Sequence, residues 1–166
     1  MKNILILHGK EGSPNGSKVR YVRGLNSYNV HVLDYKPKEE PVYKAFPRCV
    51  AEAKNWLRVN DVDLIIGSSF GGGVLLQLVT DGVWSKASLF LAQAGVMYGV
   101  TNSIPAKLPA ILIHGKQDGV VSFQDSVVLA NRVNLAELWL INDDHRLKSI
   151  LAEPYLLRQA IERLLC

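Results

Sequence analysis

The stretch Ile65-Ile66-Gly67-Ser68-Ser69-Phe70-Gly71 places a serine with glycine two residues away on either side, directly after an apolar run. A strand that turns sharply into a helix at such a point lifts the central hydroxyl above the sheet, where a substrate carbonyl can reach it. Any Cβ at the two glycine positions would press on neighbouring backbone in so tight a bend. The glycine spacing selects Ser69 over the adjacent Ser68. A serine hydroxyl is a poor nucleophile near neutral pH, so acyl transfer needs a base to take its proton and a carboxylate to orient that base. Candidates lie late in the chain: Asp118 in His114-Gly115-Lys116-Gln117-Asp118-Gly119-Val120-Val121, and His145 in Ile141-Asn142-Asp143-Asp144-His145.

Elements must exist to bring these residues together. Six apolar, β-branched stretches read as strands, at about 3–8, 29–35, 62–68, 86–92, 109–114 and 136–142. Helical spacing appears between most of them. Val19, Val22 and Leu25 mark one helix, and Val50, Ala53 and Leu57 mark another, with Pro47 at its start. Val74, Leu75, Leu78 and Val79 follow the serine and stop at Asp81-Gly82. Val127, Val128 and Ala130 follow Ser122, and Leu156, Ala160, Ile161 and Leu164 follow Pro154 and Tyr155. This alternation predicts an α/β domain over 1–166, a three-layer α/β/α sandwich with a parallel sheet covered by helices on both faces. In a parallel sheet the C-terminal strand ends point one way, so Ser69, Asp118 and His145 converge on one edge, where open α/β sheets bind their ligands.

The link 93–108 has no clean period and carries Gly95, Gly99 and Pro105. Long links without strong secondary structure tend to be functional, so Met97 and Tyr98 are expected on a substrate-facing wall; an ordinary connection packed down by Tyr98 is the competing reading.

Composition narrows the classes. A chain of 166 residues with 48% hydrophobic and 20% charged content can bury a real core and shows neither disorder nor a membrane span. The first apolar run ends after four residues at His8-Gly9, too soon for a signal peptide. Cys49 and Cys166 form no CxxC, and no His cluster has zinc-ligand spacing, so neither metal nor disulfide is expected and the cytoplasm is the default location. Lys10, Lys18, Arg20 and Arg23 are the densest basic stretch within a net charge of +4. It reads as a solvated helix face rather than a nucleic-acid site, although near the active site it would favour anionic substrates. No G-x-G-x-x-G follows the first strand and no P-loop motif exists, so no nucleotide cofactor is expected.

The order Ser69, Asp118, His145, with G-x-S-x-G after one strand, G-x-x-D-x-x-V after the next but one and D-H after the last, resembles the α/β-hydrolase superfamily across essentially the whole chain. That resemblance implies strand order 2-1-3-4-5-6, with Ser69 as nucleophile, His145 as general base and later acid, and Asp118 as the orienting carboxylate. Asp125, inside a helix pattern, and Asp143 and Asp144, beside the histidine, are the other acids available. The segment Leu7-His8-Gly9-Lys10-Glu11-Gly12 looks like the family's first oxyanion loop, which implies that the backbone N–H groups of Phe70 and Lys10 stabilise the oxyanion. His8 and His114, each in a His-Gly pair, are expected to hold loop backbone, and His31 to be incidental. The chain starts at the strand carrying His8-Gly9 and has no insertion long enough for a cap domain, so a shallow, open site for small or flexible acyl substrates is expected. The function implied is hydrolysis of small-molecule carboxylic esters or thioesters through an acyl-enzyme, with no cofactor and no nucleic-acid or membrane partner; a non-catalytic partner-binding protein on the same scaffold is the alternative.

Overall fold

Each apolar run expected to be extended forms a strand. In the computed structural model, which describes residues 1–131 and 135–166, these are β1 (Lys2–Leu7), β2 (Tyr28–Val32), β3 (Leu64–Ser68), β4 (Ala87–Leu91), β5 (Ala110–Gly115) and β6 (Ala136–Ile141). They pair in parallel in the order β2-β1-β3-β4-β5-β6. Five helices follow the connections: α1 (Ser17–Gly24), α2 (Val42–Leu57), α3 (Phe70–Thr80), α4 (Phe123–Ala130) and α5 (Leu156–Leu165).

Alternation along the strands divides the core in two. Leu5, Leu7, Ile65, Phe90 and Leu112 face one side and pack with buried residues of α2, α3 and α4. Ile4, Ile6, Ile66, Leu89 and Ile111 face the other, against Val19 and Val22 of α1 and Leu157, Ala160 and Ile161 of α5. Side chains of successive strand residues point to opposite faces, so one apolar run can feed both layers only where both are covered. β3 and β4 are of that kind. β6, at the sheet edge, is half-buried along its whole length.

Two boundaries differ from expectation. The second strand stops at Val32 rather than 35, where its pairing with β1 ends. Tyr35 then turns inward, fully buried, and its hydroxyl donates to the His8 carbonyl at 2.7 Å. The second helix begins at Val42 after an extended Pro41, which accepts the N–H groups of Lys44 and Ala45, and Pro47 lies inside it. Pro47 has no N–H to offer the carbonyl four residues back, but that carbonyl belongs to Tyr43, an exposed residue whose backbone water can reach. Among the described residues no helix is long and apolar enough to cross a membrane.

Candidate active site

Ser69 joins β3 to α3 with φ 52° and ψ −112°, a left-handed conformation rarely tolerated outside glycine. The surroundings enforce it. The Ser69 N–H donates to the Leu91 carbonyl at 2.8 Å, and the Ser69 carbonyl accepts from Gly73 and Ala94, each at 3.0 Å. A Cβ on Gly71 would sit 1.9 Å from the Leu7 carbonyl oxygen, and one on Gly67 would sit 2.5 Å from that of Gly71. The glycines of the motif are therefore required by close approach of β1, β3 and α3.

The loops after β5 and β6 close on this elbow. A Cβ on Gly115 would lie 2.2 Å from the Asp143 carbonyl oxygen, and the Lys116 and Gln117 N–H groups donate to Ile141 and Asp143 at 2.9 and 3.1 Å. This contact sets the two loops side by side. The Ser69 Oγ stands 2.8 Å from His145 Nε2, and His145 Nδ1 stands 2.7 Å from Asp118 Oδ2. The carboxylate of Asp118 is fully buried, while His145 is partly open to solvent. With a carboxylate oxygen as its partner, Nδ1 carries the proton, which leaves Nε2 as an acceptor for the serine hydroxyl.

Burial alone would raise the pKa of Asp118. The Val121 N–H, the His145 bond and the Val120 N–H outweigh it and hold the carboxyl below the usual carboxylate range. Both of those N–H groups donate to Oδ1 at 2.8 Å. A second histidine shares the other oxygen. His114 Nε2 lies 3.0 Å from Asp118 Oδ2 and 3.1 Å from the Val121 carbonyl, so this nitrogen faces two acceptors and carries the proton. The Ser126 hydroxyl then donates to Nδ1 at 2.7 Å. Burial lowers the His114 pKa and keeps the ring neutral. The sequence suggested a loop-holding role for His114; its bond to the acid shows in neither spacing nor composition, because it depends on how the loop after β5 folds back.

The other acids lie apart from the imidazole's Nδ1. Asp125 is on α4. Asp143 accepts from Ser149 N–H and Oγ at 2.9 and 2.6 Å and from its neighbour Asp144 N–H at 2.7 Å, while Asp144 accepts from the Arg146 N–H at 2.9 Å. Both shape the turn that carries His145. His8 donates from Nδ1 to the Gly9 carbonyl at 2.9 Å, and His31 is exposed beside Trp56.

Gly9 lies against the nucleophile, since a Cβ there would be 3.6 Å from the Ser69 Cβ. Among the described residues no protein acceptor takes the backbone N–H of Lys10 or Phe70.

A cavity of about 660 Å³ opens at Ser69 and His145. It is deeper than the shallow site expected from the absence of a cap. It reaches Ile6, Ile66 and Leu157, all buried, because α1 and the chain after His145 form walls above the sheet edge and leave a trough between them. Met97 and Tyr98 line its far side, and the link between β4 and β5 carries turns without a helix or strand. Tyr98 also packs edge-on against Phe46 and Phe70, so it both lines the cavity and is held by its neighbours. Among the described residues no group of three His, Cys, Asp or Glu side chains could hold a metal ion.

A parallel sheet in this order, with a strained serine between its third strand and the following helix, has the α/β-hydrolase fold. Solved structures of that class superpose on nearly all of the chain. Mouse alpha/beta hydrolase domain-containing protein 10 does so with TM-score 0.77 at 16% identity, covering 97% of this chain and 87% of its own. Est1E from Butyrivibrio proteoclasticus gives TM-score 0.74 at 17% identity, covering 99% and 87%. CarC, a serine hydrolase involved in carbazole degradation, gives TM-score 0.69 at 13% identity, covering 99% and 91%. No protein-family model matches the sequence, and no curated protein matches it.

Proposed function

We propose that the protein is a serine hydrolase that cleaves carboxylic esters or thioesters through an acyl-enzyme on Ser69. The single observation that carries this reading is the unbroken hydrogen-bonded line from Ser69 Oγ through both nitrogens of His145 to Asp118 Oδ2. In the proposed reaction His145 Nε2 takes the hydroxyl proton as Oγ bonds to the substrate carbonyl carbon. Asp118 holds the ring and stabilises the imidazolium that forms. The oxyanion is bound by the N–H groups of Phe70 and Lys10, each of which contributes about 3 kcal/mol in comparable sites. Collapse of the tetrahedral intermediate breaks the bond to the leaving group, which takes the proton from His145. Water then attacks the acyl-enzyme, with His145 again as base, and releases the acid and the free serine. The hydrolase neighbours favour the same class, and a structure of Est1E holds ferulic acid, a carboxylic acid of the kind such a reaction releases. The trough and the free walls suit a small-molecule ester, and no cofactor enters the scheme.

A fluorophosphonate probe is expected to label Ser69, with labelling lost in Ser69→Ala, alongside turnover of p-nitrophenyl esters by the parent alone. Labelling at another residue, or an inert protein, rejects the reading in favour of a binding role for the scaffold.

A further inference from the structure

The walls of the cavity are unequal in charge. Lys10, Lys18, Arg146 and Lys148 line it, against the single acid Glu11. Among the described residues none of these four cations is in an ion pair, whereas Lys2, Arg48, Lys54, Lys86, Arg158 and Arg163 all are. Among the described residues, unpaired cations such as Arg20, Lys44 and Lys107 also lie elsewhere on the surface, so what sets the cavity apart is that four cations share its lining with one acid.

Lys18 is the most constrained of them. It leaves the first turn of α1 and reaches across to the chain beyond the base, where its ammonium donates to the Arg146 carbonyl at 2.7 Å. An ammonium has three N–H bonds, so two remain available beside the mouth. Burial lowers its pKa, with Asp143 and Asp144 acting in the opposite sense. Neither of those carboxylates lines the cavity, and both already accept backbone N–H groups of the His145 turn. A half-buried cation held at a fixed point, with Asp143 and Asp144 near it but engaged by backbone N–H groups, is a ready site for an anion, since part of its desolvation has already been met in the free protein.

Resting on the hydrolase reading above, we infer that the substrate is an anionic ester or thioester whose carboxylate or phosphate group binds Lys18 at the mouth while its apolar part lies in the trough over Ile6, Ile66 and Leu157. Lys18 recognises charge and takes no part in bond making. Arg146 and Lys148 add to the attractive field, which steers an anion towards Ser69 and is screened by salt.

Two matched pairs of esters test this. One pair places the charge on the acid half: p-nitrophenyl glutarate against its methyl ester. The other places it on the alcohol half: the butyrate of 4-hydroxybenzoate against that of methyl 4-hydroxybenzoate. In one pair at least, the anionic member should have the larger kcat/KM by about tenfold at low salt, as a charge-assisted bond predicts. The pair that responds identifies which half bears the anion. Raising the salt, or substituting Lys18→Gln, should bring the ratio towards one. A purely structural lysine would lower both members equally and leave the ratio intact. Lys2→Gln, at the opposite end of the sheet, should not change it. Neutral members turned over as well as anionic ones in both pairs, or a ratio indifferent to Lys18→Gln, overturns the inference and leaves the hydrolase reading standing. If neither pair reacts and Ser69 resists fluorophosphonate, the hydrolase reading fails. Titration calorimetry with glutarate and 4-hydroxybenzoate then decides: saturable binding that Lys18→Gln abolishes upholds the anion site, and absence of binding rejects it.

Discussion

At the elbow, the backbone of Ser69 is fixed by close packing, and Gly67, Gly71 and Gly72 have no room for a methyl group. After β6, a strand half-buried throughout, His145 is placed by short polar bonds from Asp143, Asp144 and Lys18. The proposed nucleophile is therefore located by excluded volume, and the proposed base by hydrogen bonds and charge. Excluded volume is indifferent to pH and salt, but polar placement responds to both. The same site should therefore fail in two distinct ways.

Gly71→Ala should give the largest effect, because its Cβ would meet the Leu7 carbonyl oxygen at 1.9 Å and backbone cannot step aside as a side chain can. A loss above about 3 kcal/mol is expected, read as insoluble protein or a melting point lower by about 6–12 °C. Gly119→Ala, with nothing within 4 Å, should change stability by less than about 0.5 kcal/mol. Equal tolerance at the two positions would break the steric half of the comparison.

Asp143→Ala probes the polar half. It frees the Ser149 and Asp144 N–H groups and loosens the turn. A fall in kcat/KM of about 10- to 100-fold is expected, with fluorophosphonate labelling slowed in step. A drop in melting point without loss of rate would show that His145 is held otherwise.

The pH response sharpens the contrast further. Burial holds His8 and His114 below the ordinary 6.5, so in the folded chain they stay neutral where the unfolded chain begins to bind protons. Stability should fall as pH drops below 6.5, by up to about 1.4 kcal/mol per pH unit for each histidine, and level off beneath the folded values. His114→Gln keeps an N–H for Asp118 and should remove one share of that slope, measurable in urea midpoints at a series of pH values. Asp118 acts lower down: its folded pKa lies below 3.8, so its contribution is present above 3.8 and is lost as pH falls through the folded value.

Ser69→Gly should give a small change in stability. Removing the Cβ relieves the φ of 52°, and the variant should melt about 2–4 °C above Ser69→Ala, a gain of about 1 kcal/mol, with turnover absent in both. Identical melting points would mean that the elbow stores no strain.

The six parallel strands and the meeting of Ser69, His145 and Asp118 were legible because they follow from local signals: apolar runs, a glycine pair around a serine, and polar residues at strand ends; the strand order came from the resemblance to the α/β-hydrolase superfamily. Less visible were features that arise only from assembly. The start of α2 was obscured by Pro47, since a proline inside a helix reads as its beginning unless the exposure of Tyr43 is known. The shared Oδ2 of Asp118 depends on a loop turning back upon β5. The depth of the cavity depends on how far α1 stands from the sheet edge, a distance that no residue pattern encodes.

The groups proposed to react are fastened to strand ends, whereas α1, the link 93–108 and the chain after His145 enclose the entrance. In the proposed reaction, selectivity and chemistry would thus be carried by separable pieces of polypeptide. Met97 and Val120, both exposed and both on the wall, offer places to vary what is admitted while the strained serine and its neighbours remain as they are.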